Sequence, residues 1–132
     1  MYRDYIHRST RRYRNVIQKA GRLHITDPRH LTAILWNDGL YFELHELLET
    51  FWLETHGNER TALKGLIQAA GVYVHSLRGN LRAARGLAVR ARENLNQGLA
   101  CLDFISGVDM LIQCLEDPAA PPPKLGRIGP GR

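Results

Sequence analysis

The chain has no apolar run near the roughly 20 residues that a membrane-spanning helix needs; clusters such as Leu47-Leu48 and Phe51-Trp52-Leu53 are short. No membrane partner is expected. The first residues are dense in arginine and lack the uninterrupted apolar stretch of a secretory signal, so export by that route is not expected either. There are only two cysteines, Cys101 and Cys114. Their spacing matches no metal-ligand pattern, and two thiols cannot build the framework of a disulfide scaffold. The reading is of buried thiols in a reducing cytoplasm. No serine or cysteine sits in a nucleophile elbow, and no glycine-rich loop of the phosphate-cradling kind occurs. Proline is missing from the whole stretch between Pro28 and Pro118, and alternation of polar and apolar residues never persists long enough to mark a strand. The predicted fold class is therefore all-α.

What is present is a helical pattern broken at intervals. A length of 132 residues suits one domain, and 44% hydrophobic with 23% charged residues is ordinary for a folded chain. Residues 2–20 carry Tyr2, Tyr5, Ile6, Tyr13, Val16 and Ile17 at helical spacing with arginines between them. Thr26-Asp27-Pro28 offers a cap followed by proline at the first helical position, predicting a short helix through Trp36. Asn37-Asp38-Gly39 is a turn, Leu40–Thr55 a helix, and His56-Gly57-Asn58 a break before a further helix over 59–78. So short a link predicts an antiparallel hairpin at the centre of a bundle of about five helices. Gly79-Asn80 precedes a helix with Leu81, Ala84, Ala88, Ala91 and Leu95 on its apolar stripe, and Ser106 with Asp109 marks the start of a last helix. The domain boundary is placed at residue 117. The Pro-rich residues 118–132 read as an extended or disordered tail whose Leu125 and Ile128 could dock on a folded surface, or carry the arm onto a second copy of the chain.

The net charge of +5 is concentrated at one end. Residues 1–24 carry Arg3, Arg8, Arg11, Arg12, Arg14, Lys19 and Arg22 against Asp4 alone, whereas residues 25–58 carry six carboxylates against Arg29. The basic segment, with Arg3, Arg8, Arg11, Arg12 and Arg14 foremost, is a candidate for weak electrostatic contact with nucleic acid. The tyrosines fit the apolar stripe better than base stacking.

The chemistry-bearing residues lie in the middle. On the 40–55 helix, Leu40, Leu44, Leu47, Leu48 and Phe51 share the core face, and Glu43, Thr50 and Glu54 make the solvent strip. With Leu44 at 0°, His45 and Glu49 fall at about 100° and 140°, among Trp52, Phe42 and Leu53. That placement predicts a buried polar pair, and predicts that removing either residue costs about 1–3 kcal/mol. On the next helix, Lys64, Gln68 and His75 share one flank, with Lys64 level with Glu49 and Gln68 level with His45. Whether the two flanks face each other depends on the handedness of packing.

Two readings follow. In the first, His45, Glu49, Lys64, Gln68 and His75 form a hydrogen-bonded polar cluster in a non-catalytic binding or assembly module. In the second, His45, Glu49 and His75, with Glu46 as a further candidate, ligate a divalent transition metal that activates water for hydrolysis, His45, Glu46 and Glu49 being the candidate catalytic residues. The pattern is not the zincin signature, because Glu49 stands one residue earlier than the expected second histidine.

The stretch Trp36-Asn37-Asp38-Gly39-Leu40-Tyr41-Phe42-Glu43-Leu44-His45-Glu46-Leu47-Leu48-Glu49, followed by Trp52, by Gly65-Leu66-Ile67-Gln68-Ala69-Ala70 and by His75, resembles domain-of-unknown-function family 309 over about residues 32–116. The resemblance implies a compact helical bundle found mainly in prokaryotes, and no particular activity. The basic N-terminal segment and the Pro-rich tail lie outside it.

Overall fold

The computed structural model describes Arg14, Asn15, Ile17, Gln18, Gly21, Arg22 and residues 27–128. Most of the segment expected to form the basic N-terminal helix therefore lies outside the described residues; Arg14, Asn15, Ile17, Gln18, Gly21 and Arg22 are helical and exposed. The body begins where Asp27 caps a 3-10 turn, Pro28–Leu31, by accepting the Arg29 N–H at 3.0 Å. Proline takes the first helical position, where its missing donor costs nothing. The chain then forms α1 (Thr32–Asn37), α2 (Tyr41–Trp52), α3 (Gly57–Leu77), α4 (Leu81–Gly98) and α5 (Val108–Cys114). Among the described residues the strands are a two-residue pair, β1 (Ile105–Ser106) and β2 (Gly126–Arg127), so the fold is essentially all-α.

The breaks obey local chemistry. Gly39, Gly57, Gly79 and Gly107 all have positive φ, a conformation in which side chains with a Cβ are strained. Asn80 caps α4 through its side chain, accepting the Ala83 N–H at 3.2 Å. The start of α5 differs from expectation. Ser106 lies in β1 and its side chain caps nothing; Gly107 at φ +89° makes the turn instead.

The central element is α3, buried on nearly every side from Ala62 to Val74. It packs against α2 on one side and, more extensively, against α4 on the other. Small residues allow the second contact. A Cβ on Gly65 would meet the Leu95 backbone nitrogen at 2.8 Å, and one on Gly98 would meet Ala62 backbone atoms at 2.7 Å. Trp36, Tyr41 and Tyr73 form an aromatic knot with ring centroids 5.1–5.6 Å apart, two of the three pairs edge-to-face.

Residues 121–128 are extended, as the prolines dictate, and they lie on this chain's own bundle. Asn37 grips Leu125 by both backbone groups, its Nδ2 donating to the carbonyl at 2.7 Å and its Oδ1 accepting the N–H at 2.9 Å. Trp36 Nε1 donates to the Pro123 carbonyl at 2.8 Å. Leu125 is buried and Ile128 is exposed. Cys101 and Cys114 are free thiols, half-buried and not the fully buried pair expected.

Candidate functional site

The dense apolar pattern that builds α2 also fixes its angular position. Leu44 and Leu48 are fully buried, so the neighbouring flank carrying His45 and Glu49 turns toward α3. On α3 the flank of Lys64, Gln68 and His75 turns toward the same place. The handedness of packing brings the two together: His45, Glu49, Lys64, Gln68 and His75 all line one groove of about 490 Å³, together with Ile67, Gly71, Leu87 and Arg90.

The burial expected of the pair is not found. The His45 side chain is 32% exposed and that of Glu49 is 50% exposed. The reason is geometric. A helix flank at roughly 100–140° from the core axis reaches the edge of a helix–helix contact and not its interior, and here that edge opens into the groove. Glu43 departs the other way, being half-buried where a solvent strip was expected, while Thr50 and Glu54 are exposed.

The bonds anticipated within the cluster are replaced by others. Gln68, buried at 8% exposure, accepts from Asn94 Nδ2 of α4 at 2.7 Å and is not bonded to His45. Lys64 does not pair with Glu49; its ammonium lies 4.7 Å from the centroid of the Trp52 ring, beside Arg60 at 3.8 Å. Both are cation–π placements, which draw on the negative face of the indole. His45 Nδ1 is buried with no hydrogen bond, 3.9 Å from Glu46 Oε1 and 4.0 Å from Glu49 Oε2. His75 Nδ1 is likewise buried and without a hydrogen-bond partner.

For a metal, the arrangement gathers part of the expected set. One ligand atom from each of His45, Glu46 and Glu49 lies within 4.8 Å of the others. His75 lines the groove but stands outside that group. Among the candidate nucleic-acid residues, Arg14 is exposed, and Arg3, Arg8, Arg11 and Arg12 lie outside the described residues.

Leu87, Arg90 and Asn94 were not singled out from the sequence. The available signal was their angular grouping. With Ala84 at 0° they fall within about 60° of one another on one flank of α4, away from Arg82 and Arg85.

Residues 31–87 match the family model described as Domain of unknown function (DUF309). This is the family that the Tyr41–Glu49 and Gly65–Ala70 motifs resemble. The DUF309 match takes in α1, α2, α3 and the first part of α4, hence His45, Glu46, Glu49, Lys64, Gln68, His75 and Leu87. It ends at residue 87, short of the 116 to which the resemblance was drawn, so Arg90 and Asn94 lie beyond it. No curated protein and no solved structure matches the chain. Among the described residues no helix is long and apolar enough to cross a membrane.

Proposed function

We propose that the chain is a helical binding module that holds a small molecule in the groove between α2, α3 and α4, without catalysis of its own. The observation that carries this reading is the state of the polar side chains lining the groove. His45, Glu49, Lys64 and His75 line one cavity and make no hydrogen bonds to one another among the described residues. A network serving only stability would satisfy its members mutually; these side chains are not spent on one another. A volume of about 490 Å³ is of small-molecule size, and apolar walls from Ile67 and Leu87 with a few convergent polar groups suit such a site. The test is ligand-observed NMR with a panel of small neutral, anionic and cationic fragments, repeated on Leu87→Trp, which fills the groove. Binding that disappears in the folded variant supports the reading. Binding that survives the substitution places the ligand elsewhere and overturns it.

A second reading is favoured by one observation, the mutual approach of one ligand atom each from His45, Glu46 and Glu49 within 4.8 Å on α2. Ligand atoms around one transition metal at about 2.0–2.2 Å would stand roughly 3–3.5 Å apart, so small side-chain rotations close the set. Three protein ligands leave a coordination position for water, the arrangement used in metal-assisted hydrolysis. Elemental analysis of untagged protein from metal-supplemented growth decides the matter. A stoichiometric transition metal that is lost in Glu46→Gln and Glu49→Gln supports a metal-dependent hydrolase; a metal-free protein removes it.

A further inference from the structure

The groove is asymmetric in hydrogen-bonding and charge, and its asymmetry selects a ligand. On the α3 and α4 side stand the ammonium of Lys64 and the guanidinium of Arg90. Neither has a carboxylate partner among the described residues, in contrast to Arg92, which pairs with Glu116 at 2.8 Å. Gln68 between them has its carbonyl oxygen committed to Asn94 at 2.7 Å, which orients the amide and leaves the NH2 group as the free end. His75 adds a buried ring nitrogen with no hydrogen-bond partner. Against these, the formal negative charge of the lining is Glu49 alone, half-exposed and beside His45 on the opposite wall.

Each class of ligand meets this wall differently. A cation would face two fixed positive charges for one carboxylate. A neutral apolar molecule would strip water from the cations and the amide and give nothing back, which is costly for polar groups in a partly desolvated site. An oxyanion is attracted by both cations, and a guanidinium offers it a planar fork of donors. The Gln68 amide then supplies a neutral hydrogen bond without further charge.

We propose that the groove binds its small molecule by an oxyanion, a carboxylate or phosphate group seated against Lys64, Gln68 and Arg90. The inference rests on the groove being the binding site and adds the chemical class of the ligand. Lys64 is held in place by the Trp52 face and Gln68 by Asn94, so two of the three groups are already positioned before the anion arrives.

The experiment uses the full chain, isotopically labelled, titrated with inorganic phosphate and with succinate against sodium chloride at matched ionic strength. The expected result is a saturable shift of the Gln68 side-chain amide, the His75 ring and the Leu87 methyls with at least one of the two anions. Phosphate responding without succinate identifies a phosphate site, and the reverse a carboxylate site. Arg90→Ala and Lys64→Met should each weaken that binding by about tenfold, the loss expected of a charge-assisted contact. Arg82→Ala, exposed on the same helix, should change nothing, and melting curves confirm that each variant folds. Shifts equalled by chloride, or saturable shifts indifferent to both Arg90→Ala and Lys64→Met, overturn the proposal. If neutral fragments bind at Leu87 while both anions fail, the oxyanion assignment falls alone. If no fragment of any charge binds, the groove reading falls with it.

Discussion

At the scale of single residues, exposure decides what a polar side chain contributes. His45 and Glu49 are 32% and 50% exposed, and their contact at 4.0 Å is longer than a hydrogen bond. Removing either leaves no partner stranded. His45→Ala and Glu49→Ala should therefore melt within about 0.5 kcal/mol of the parent, against the 1–3 kcal/mol that burial would entail, and urea denaturation measures the difference. Tyr73 presents the opposite case. Its hydroxyl is buried with no hydrogen-bond partner, and loss of solvent pushes its pKa well above the ordinary 10.0, with the neighbouring Cys114, Tyr41 and Asp117 adding to the shift. The folded state then keeps a proton that the unfolded chain releases above about pH 10, so stability is full below that pH and falls as pH rises toward the folded value. Tyr73→Phe removes both effects. The variant should be as stable as the parent or about 1 kcal/mol more so at neutral pH, and the gap should widen above pH 10 in chemical denaturation. The polar groove residues of α2 and α3 were legible in the sequence because helical angles are nearly invariant; those of α4 were not. Their exposure was not, because it depends on how far α4 closes over the edge of the α2–α3 contact.

At the scale of elements, the small residues of α3 and α4 set the distance between these helices and hence the width of the groove. Gly98 lies against Ala62 so closely that an added Cβ would stand 2.7 Å from backbone atoms, which cannot rotate aside. Gly86, on the exposed side of the same helix, has nothing within 4 Å of an added Cβ. The two glycines should therefore respond with opposite signs to the same substitution. Gly98→Ala should destabilise by about 1–3 kcal/mol through overpacking, and Gly86→Ala should stabilise by about 0.5–1 kcal/mol through helix propensity; thermal melts of the pair read this directly. Equal effects from the two would mean that α3 and α4 are not in backbone contact. The helices were legible because apolar residues recur at their period between Gly and Asn breaks. The extent of the α3–α4 contact was less so, since a glycine inside a helix does not reveal which neighbour it lies against. β1 and β2 were invisible for a simpler reason, that two residues cannot display an alternation.

For the whole molecule, the notable contact joins segments almost ninety residues apart. Asn37, at the end of α1, holds Leu125 by two hydrogen bonds, Trp36 donates to Pro123, and β2 pairs antiparallel with β1. The composition of the tail foretold its extended backbone. It could not foretell the surface on which that backbone rests, because the Asn37 side chain reads as turn chemistry until the partner strand is known. The contact ties the segment that matches DUF309, through α1, to residues 123–125. Two apolar residues in the same tail separate docking from mere proximity. Leu125 is 4% exposed and Ile128 is 43% exposed. Leu125→Ala removes a buried side chain from a closed site and should cost about 2–5 kcal/mol. Ile128→Ala should stay within about 0.5 kcal/mol of the parent. Trp36 is almost fully buried and bonded to the tail through Nε1, so Leu125→Ala should also shift tryptophan emission to longer wavelength at temperatures where α-helical circular dichroism is still intact. Emission and circular dichroism changing together, with Leu125→Ala and Ile128→Ala indistinguishable, would mean that the tail does not rest on α1 in solution.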